Sequence, residues 1–336
     1  MEVSKEQEIN QIRIERPHVV ILGAGASYAA FPHGDINGVK LPLMNNFVSI
    51  LELNDLLSRT GVDFDTSNFE NVYDNLCKND TYQEVREELE SRIYDYFSKL
   101  EIGNEPSVYD HLLLSLRGKD VVATFNWDPF LLQAFRRNAQ MFKLPRLLFL
   151  HGNVEVGFCE KDKVAGLNGN RCSKCGKILV PSRLLYPIAE KNYHLDGFIS
   201  SQWKELEQHL KNAFMITIFG YGAPQSDVSA IDLMKSAWGD VNSREMEQTE
   251  IIDIRNEDDL YKTWEPFIHS HHYDTHSSFY NSWIANHPRR TGEAHFNQYY
   301  DAQFIENNPI PKDFDLPELW SWLDQLKSVE EKHEGT

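Results

Sequence analysis

The stretch that decides the fold is His18-Val-Val-Ile-Leu-Gly-Ala-Gly-Ala-Ser27. Its first half is a short apolar run without polar alternation, which is typical of a strand buried on both faces of a sheet. Its second half opens with two glycines, which permit a tight turn and a close approach of the backbone to a phosphate at a helix N-terminus. Tyr28 stands where the complete fingerprint has a third glycine, so the stretch is also compatible with a strand–helix turn that binds no ligand.

Four more runs have the character of buried strands, and helical patterns separate most of them. They are 120–124, 146–150, 214–219 and 250–254. Strands that alternate with helices predict an α/β fold with a doubly wound parallel (Rossmann-like) sheet. Because the ligand crevice of such a sheet lies at the carboxyl ends of its strands, we expect the segments that follow these runs to converge.

The remaining segments predict additions to this sheet. Residues 43–116 have a helical pattern and form an insertion between the first and second strands. Residues 154–180 contain Gly, Lys and Cys with weak periodicity and form a small Cys-bearing excursion. We expect one catalytic domain over 1–256 and a helical C-terminal subdomain over 257–336, packed against the sheet.

The composition restricts the classes of function that this chain can have. It has 336 residues and a net charge of −18, from 33 basic and 51 acidic side chains. Nucleic-acid binders present concentrated Lys and Arg surfaces, so no direct binding of nucleic acid is expected. No run approaches the roughly 18 apolar residues of a membrane span, and the charged N-terminus has no apolar core of a secretory signal. Four clustered cysteines are too few for a disulfide framework, so we expect a cytoplasmic protein without membrane contact.

Polar residues follow the later strands at their carboxyl ends. Thr124-Phe-Asn126-Trp-Asp128 follows the second strand, and His151-Gly-Asn follows the third. Asn126 or Asp128 could simply cap a helix, and a lone histidine is more often structural than catalytic. At a strand end beside a glycine, however, His151 has the position and the near-neutral pKa that suit a general base.

The order of these motifs resembles the sirtuin family over about residues 18–256. The motifs follow one another in this order: a glycine turn, a helical insertion, Asn-x-Asp, His-Gly, a cysteine-bearing excursion, Phe-Gly-Tyr-Gly and a late strand ending at Asn256. Within the insertion, Asn68-Phe-Glu70 resembles the bacterial sirtuin-like branch more than the protein deacylases.

The resemblance implies NAD as substrate and a role for each matching residue. Asn126 would orient the nicotinamide ribose or an attacking water, Asp128 would lie near the nicotinamide amide, and His151 would be the base. The other residues implied in NAD binding are Gly23, Ala24, Gly25 and Ser27 at the diphosphate, Gly220, Gly222 and Ser226 along the adenosine, and Asn256 near the adenine ribose.

Two departures from the family pattern limit what is carried over. The deacylases have a Pro-Asp-Phe-Arg phrase after the glycine turn, whereas residues 33–42 read His-Gly-Asp-Ile-Asn-Gly-Val-Lys-Leu-Pro. The family's zinc module has two Cys-x-x-Cys pairs, whereas this chain offers Cys159, Cys172 and Cys175. A structural zinc needs four ligands, so zinc is possible but not favoured, with His194 or Glu160 as conceivable fourth donors.

The resemblance therefore implies an NAD glycohydrolase that releases nicotinamide and ADP-ribose, acting in abortive antiphage defence. The alternatives are an NAD-dependent protein deacylase and a subunit that senses NAD or ADP-ribose without turnover. Because such an activity must be silent in a healthy cell, we expect a homo-oligomer with a separate regulatory partner, such as an ATPase. Arg289 and Arg290, near several aromatic residues, are the expected assembly surface. The alternative is that the arginines pair with local acidic residues and that the aromatic residues form the core of the subdomain.

Overall fold

The structure is a computed structural model that describes residues 2–187, 193, 196–223, 227–240, 244, 247–268 and 273–335. The strands are β1 (Glu2–Val3), β2 (His18–Leu22), β3 (Val121–Thr124), β4 (Arg146–Phe149), β5 (Val156–Cys159), β6 (Val164–Leu167), β7 (Val180–Pro181), β8 (Met215–Phe219), β9 (Gln248–Ile252), β10 (Tyr273–His276) and β11 (Phe304–Ile305). The helices are α1 (Lys5–Ile9), α2 (Ala24–Ala30), α3 (Phe47–Ile50), α4 (Asn54–Ser58), α5 (Phe69–Cys77), α6 (Gln83–Phe97), α7 (Val108–Leu114), α8 (Phe130–Asn138), α9 (Gly197–Asn212), α10 (Val228–Trp238), α11 (Glu257–Trp264), α12 (Trp283–Asn286), α13 (Thr291–Tyr299) and α14 (Leu316–Glu334).

The central sheet confirms the predicted doubly wound parallel fold. Its six strands have the order β10-β9-β8-β2-β3-β4, and every neighbouring pair is parallel. The chain passes from β2 through β3 to β4 on one side and then crosses to β8 on the other side of β2. The strand order thus reverses at β2, and a ligand crevice is expected where its carboxyl end meets those of its neighbours.

Strand β2 is buried on both faces because helices cover the sheet on both sides. Val20 and Leu22 belong to a core shared with the insertion and with α14, whereas Val19 and Ile21 belong to a core shared with α9 and α10. This two-sided burial is the physical reason for the uninterrupted apolar run that identified the strand.

The sheet differs from the prediction at its β9–β10 side. Strand β9 begins at Gln248, two residues before the predicted start, because polar side chains enter the core there. Glu250 is fully buried, and its carboxylate accepts hydrogen bonds from the Thr217 hydroxyl at 2.8 Å and the Trp283 N–H at 2.6 Å. Strand β10 was not predicted, because its polar sequence is only half-buried at the edge of the sheet. Strand β10 belongs to the predicted C-terminal subdomain, yet it pairs with β9 in the central sheet. The predicted domain boundary at residue 256 therefore stays a prediction.

The loop between α2 and the insertion is held in one conformation by a single carboxylate. Asp35 accepts hydrogen bonds from the N–H groups of Asn37 and Val39 at 2.8 Å and of Glu101 at 3.2 Å. The hydroxyl of Tyr96 donates to the carbonyl of Lys40 at 2.6 Å. Residues 35–40 are therefore tied to the end of α6 and to the residues that follow it.

The predicted assembly surface at Arg289 and Arg290 is wrong. The two residues are 2% and 1% exposed, and both guanidinium groups pair with Glu330 of α14, at 2.6 and 2.8 Å. Arg290 also donates to the carbonyl of Ile9. These arginines join the N- and C-terminal segments inside the molecule. In the described part of the chain, no helix has the length and apolar character needed to cross a membrane.

Candidate active site

A cavity of about 230 Å³ lies where the carboxyl ends of β2, β3, β4 and β8 meet. Its lining brings together most residues expected at a site, namely Gly23, Ala24, Ser27, Asn126, Asp128, His151, Gly220 and Gly222. The insertion and the loop before it close the other wall with the side chains of Leu41, Pro42, Met44, Phe47 and Phe97. The segments that follow four of the five predicted strands therefore meet at one cavity, whereas none of the described residues after β9 lines it.

The glycine turn is packed against the loop after β8. A Cβ atom at Gly23 would lie 2.5 Å from Cα of Tyr221, and one at Gly25 would lie 2.9 Å from Cα of Gly220. The N–H of Gly23 donates to the carbonyl of Phe219, and that of Gly25 donates to Gly220. These glycines are required for contact between two backbone segments, and their N–H groups are already engaged. This is a tighter arrangement than the open phosphate cradle expected from the sequence.

The side chain of Ser27 is the centre of a buried hydrogen-bond network. Its Oγ donates to Oδ2 of Asp128 at 2.7 Å and accepts from Nδ2 of Asn126 at 2.8 Å and from the Tyr109 hydroxyl at 2.6 Å. Nδ2 of Asn126 also donates to the carbonyl of Gly23 at 2.8 Å. Ser27 thus orients Asn126 and Asp128 and has no capacity left for a diphosphate. Tyr109, at the start of α7, was not predicted, because nothing in the local sequence distinguishes it from a core tyrosine.

Asp128 is a buried acid with an unusual pKa. It is 5% exposed, and burial raises the pKa of its carboxyl from 3.8 to about 6, against the hydrogen bond from Ser27 that favours the charged form. The N–H of Phe130 donates to its other oxygen at 3.3 Å. Perturbed pKa values of this kind concentrate at functional sites, so Asp128 is a candidate for chemistry and not only for helix capping.

His151 lies on the same wall, held by aromatic rings. It is 5% exposed, with its ring edge-on to Phe125 at 4.8 Å and nearly parallel to Tyr193 at 6.0 Å. Phe125 in turn stacks on Tyr221 at 4.2 Å. The imidazole therefore has a fixed orientation at the cavity, as a general base requires.

The cavity is acidic. Three carboxylates, Glu70, Asp128 and Asp227, contribute to its lining, and none of the described lining residues is a lysine or arginine. Asp227 accepts a hydrogen bond from the Tyr221 hydroxyl at 2.9 Å. Glu70 is placed by its neighbours: Asn68 caps α5 by accepting from the Glu70 N–H at 2.8 Å, and Phe69 stacks on Phe47 at 4.2 Å. The sequence singled out this motif without assigning Glu70 a role.

Of the expected binding residues that the structure describes, Gly25 and Asn256 are not among those that line this cavity. Asn256 is the N-cap of α11, where its Oδ1 accepts from the Asp259 N–H at 3.0 Å and its Nδ2 donates to the Asp259 carboxylate at 2.7 Å. Ser226 lies outside the described residues. Asn153 was not predicted: its Nδ2 donates to the carbonyl of Asp128 at 2.6 Å and so connects the turn after β4 to the turn after β3.

The metal-ligand candidates of the excursion come together. The thiols of Cys159, Cys172 and Cys175 and a carboxylate oxygen of Asp162 all lie within 4.8 Å of one another. Of the fourth donors considered from the sequence, Glu160 pairs with Lys163 at 2.5 Å, and His194 lies outside the described residues. Asp162 was missed, although it follows Cys159 at the spacing with which Cys175 follows Cys172.

No family model and no curated protein matches the chain. Among solved structures, it is similar to a Sir2 homologue in complex with NAD, with a TM-score of 0.40, 14% identity, and coverage of 86% of this chain and 89% of that one. It is also similar to Sir2 bound to an acetylated peptide, with a TM-score of 0.39, 13% identity, and coverage of 85% and 93%. Likeness at this level identifies neither the substrate nor the reaction of this chain.

Proposed function

We propose that this protein is an NAD glycohydrolase, which cleaves NAD to nicotinamide and ADP-ribose with water as the acceptor. The observation that carries the proposal is an acidic cavity, at the carboxyl ends of a doubly wound sheet, that holds a buried histidine beside a linked Ser27–Asn126–Asp128 network. The motif order that resembles sirtuins supports NAD as the substrate.

The charge of the cavity suits this reaction. The nicotinamide ring of NAD is a cation, and cleavage of its bond to ribose moves positive charge onto the sugar in an oxocarbenium-like transition state. Glu70, Asp128 and Asp227 line the cavity, and carboxylates fixed in advance stabilise a cation that develops beside them. The two negative charges of a diphosphate do not suit such a cavity, so the diphosphate would lie outside it.

The volume of the cavity agrees with a site that holds only part of NAD. At about 230 Å³ it is smaller than the roughly 300–1000 Å³ of sites that bury a whole drug-sized ligand. We assign it to the nicotinamide and its ribose, the part of NAD that contains the bond to be broken. The adenosine would extend outward past Gly222.

Three residues that line the cavity would carry out the cleavage of NAD. His151 would accept a proton from water as the water oxygen bonds to C1 of the ribose. The bond between C1 and the ring nitrogen breaks, and its electron pair neutralises the pyridinium. Asn126, held by Ser27 and Gly23, would orient the ribose or the water, and Asp128 would bind the amide of the base.

Water as the acceptor is supported by the wall opposite the sheet. The loop that replaces the deacylase phrase is tied down by Asp35, and its end contributes Leu41 and Pro42 to the lining. A peptide acceptor needs an open channel to the ribose, whereas Leu41 and Pro42 add apolar surface to the cavity wall. The antiphage role belongs to the same proposal and rests on the resemblance alone. The homo-oligomer and the separate regulatory partner are proposed because such an activity must be silent in a healthy cell, and the cytoplasmic location is proposed from the composition.

The test is the release of nicotinamide by purified protein. We expect Asn126→Ala and His151→Ala each to lower the rate by about 10²-fold or more, within the range that a positioned acid or base contributes. His209→Ala, on the outer side of α9, is the matched control and should leave the rate unchanged. Full activity in either site variant would contradict the assignment, and loss of acetyl groups from peptides in step with NAD would favour the deacylase.

A further inference from the structure

Tyr109 is the member of the active-site network that comes from a helix outside the cavity lining. It is fully buried on α7, and its hydroxyl accepts from Nδ2 of Asn126 at 3.3 Å. Because the single proton of the Ser27 hydroxyl goes to Asp128, the Tyr109 hydroxyl is the donor in its bond of 2.6 Å to Ser27. The position of α7 therefore decides whether Tyr109 reaches Ser27, and residues that fix α7 act on the site from a distance.

A buried carboxylate, that of Asp110, fixes the first turn of α7. Asp110 is the neighbour of Tyr109 in the chain and has no exposed surface. Its Oδ2 accepts from both the N–H and the hydroxyl of Ser107, the N-cap residue, at 2.7 Å each. Such a capping box satisfies donors that a helix leaves open at its start, so it determines where α7 begins.

Two residues at the end of α8 bond the same carboxylate. Nε of Arg137 donates to Oδ1 of Asp110 at 2.6 Å, and its Nη2 donates to Oδ2, so the pair is bidentate. Nδ2 of Asn138 donates to Oδ1 of Asp110 at 2.8 Å. Bidentate pairs fix the geometry of a carboxylate as well as its energy. The orientation of Asp110 is therefore set by α8.

The chain of hydrogen bonds continues from α8 to the C-terminal helix α14. Nε1 of Trp320 donates to Oδ1 of Asn138 at 2.7 Å, while Nδ2 of the same amide donates to Asp110. Asn138 is fully buried. Its amide meets a donor at one atom and an acceptor at the other, so it cannot turn over without losing both bonds. Trp320 thus fixes the amide that orients Asp110.

Helix α14 also supports the other end of α7. Nη1 of Arg289 donates to the carbonyls of Leu114 and Leu116 at 3.2 and 2.8 Å, and the guanidinium pairs with Glu330 of α14 at 2.6 Å. A cation at the C-terminus of a helix satisfies carbonyls that have no partner within the helix and is favoured by the helix dipole. Side chains in contact with α14 therefore hold α7 at both of its ends.

We propose that Asp110, Asn138 and Trp320 are positioning residues for the cleavage of NAD, and that α14 supports the active site through them. All three are described by the structure, and none of them lines the cavity. They act through Tyr109: a displaced first turn of α7 weakens its bond to Ser27, which holds Asn126 and Asp128. A misplacement of about 1 Å far from the chemistry can cost about 100-fold in rate. This inference rests on the proposed function.

The first experiment compares two tryptophans of α14 in the purified full-length chain. Trp320→Phe keeps an aromatic ring but removes the N–H that bonds Asn138. Trp322→Phe is the matched control, because Trp322 is also half-buried and its indole N–H bonds no residue of α7 or α8 in the described part of the chain. We expect Trp320→Phe to lower kcat for nicotinamide release by about fivefold, the factor that one buried hydrogen bond contributes, with little change in KM. Trp322→Phe should match wild type, and an unchanged kcat in Trp320→Phe would overturn the proposal.

The route through Tyr109 is tested by combining substitutions. In the Tyr109→Phe background the hydroxyl that Trp320 positions is already absent. Trp320→Phe should therefore lower kcat there by less than about twofold, since substitutions within one hydrogen-bond network are not additive. The same fivefold loss in both backgrounds would show that Trp320 acts on the site by another route, which contradicts the proposal.

A measurement without NAD separates this inference from the proposed function. Burial raises the pKa of Asp128, and the hydrogen bond from Ser27 opposes that rise. The bond from Tyr109 strengthens the donor of Ser27, because hydrogen bonds in a chain polarise one another. The pKa of Asp128 should therefore be higher in Trp320→Phe than in wild type and unchanged in Trp322→Phe.

This pKa is measured from the pH dependence of the difference in unfolding free energy between each protein and its Asp128→Asn counterpart. A raised pKa in Trp320→Phe, in a protein that leaves NAD intact, would contradict the proposed function but support the positioning of Asp128. An equal pKa in Trp320→Phe and wild type would overturn the positioning role, whether or not NAD is cleaved.

Discussion

Replacement of Asp128 by asparagine should make the protein more stable at neutral pH while it lowers NAD cleavage. Burial raises the pKa of this carboxyl from 3.8 to about 6, so the folded protein binds the proton more tightly than the unfolded chain does. The stability that the protonated acid contributes is fully present below about pH 3.8 and is lost as the pH rises to about 6. At neutral pH the wild type thus contains a buried charge that asparagine does not have.

The magnitude follows from the shift of the pKa. A change of about two units corresponds to about 3 kcal/mol of unfolding free energy. Asparagine has one side-chain oxygen, so it can accept from the Ser27 hydroxyl or from the Phe130 N–H but not from both at full strength, which costs about 1 kcal/mol. We expect Asp128→Asn to be about 2 kcal/mol more stable than wild type at pH 7 and no more stable than wild type at pH 4.

Urea denaturation at pH 4 and pH 7, followed by tryptophan fluorescence at low protein concentration, measures this difference. Asp120→Asn is a control of opposite sign, because neighbouring charges hold the pKa of Asp120 down at about 2 despite its burial. That variant should be less stable than wild type at pH 7, and the loss should shrink as the pH falls through the range from about 4 to 2. If the gain in Asp128→Asn were the same at both pH values, the raised pKa would be refuted.

Three further outcomes follow from the same contacts. Tyr109→Phe should lower the free energy of unfolding, measured by urea denaturation, by about 1 kcal/mol, the contribution of one buried hydrogen bond. Because Ser27 loses a hydrogen-bond partner, the variant should also lower kcat more than it changes KM in steady-state kinetics. Glu330→Gln should cost about 3–5 kcal/mol by leaving buried arginine charge uncompensated, without a change in oligomer size by light scattering. Glu70→Gln should lower kcat for NAD cleavage by about 10²-fold, whereas Glu84→Gln, on the exposed side of α6, should match wild type in the same assay.

The sequence predicted the strands whose burial produces an uninterrupted apolar run. Strands β2, β3 and β8 are buried along their whole length, and β4 is buried at its carboxyl end. The bounds of all four differ from the prediction by one residue at most. Strand β9 was displaced by two residues because Gln248 and Thr249, the residues missed at its start, are polar yet buried. Gln248 donates to the carboxylate of Asp274, and Thr249 donates to the carbonyl of Phe267. Strand β10 has no apolar pattern at all, since it is half-buried at the sheet edge.

The site was predictable where residues follow a strand and unpredictable where partners come from afar. Asn126, Asp128 and His151 could be located because the carboxyl ends of parallel strands converge. The partner of Arg289, Glu330, lies some forty residues further along the chain, so a buried pair resembled a basic surface. Asp162 was overlooked because the spacing was searched for cysteine alone.

The products that the purified protein forms from NAD test most directly whether this cavity cleaves NAD. Chromatography of the reaction should show nicotinamide and ADP-ribose appearing in equal amounts without any acylated peptide, with a rate that falls by about 10²-fold or more in His151→Ala. If NAD remains intact with the wild-type protein, or if His151→Ala releases nicotinamide at the wild-type rate, the proposed cleavage is contradicted.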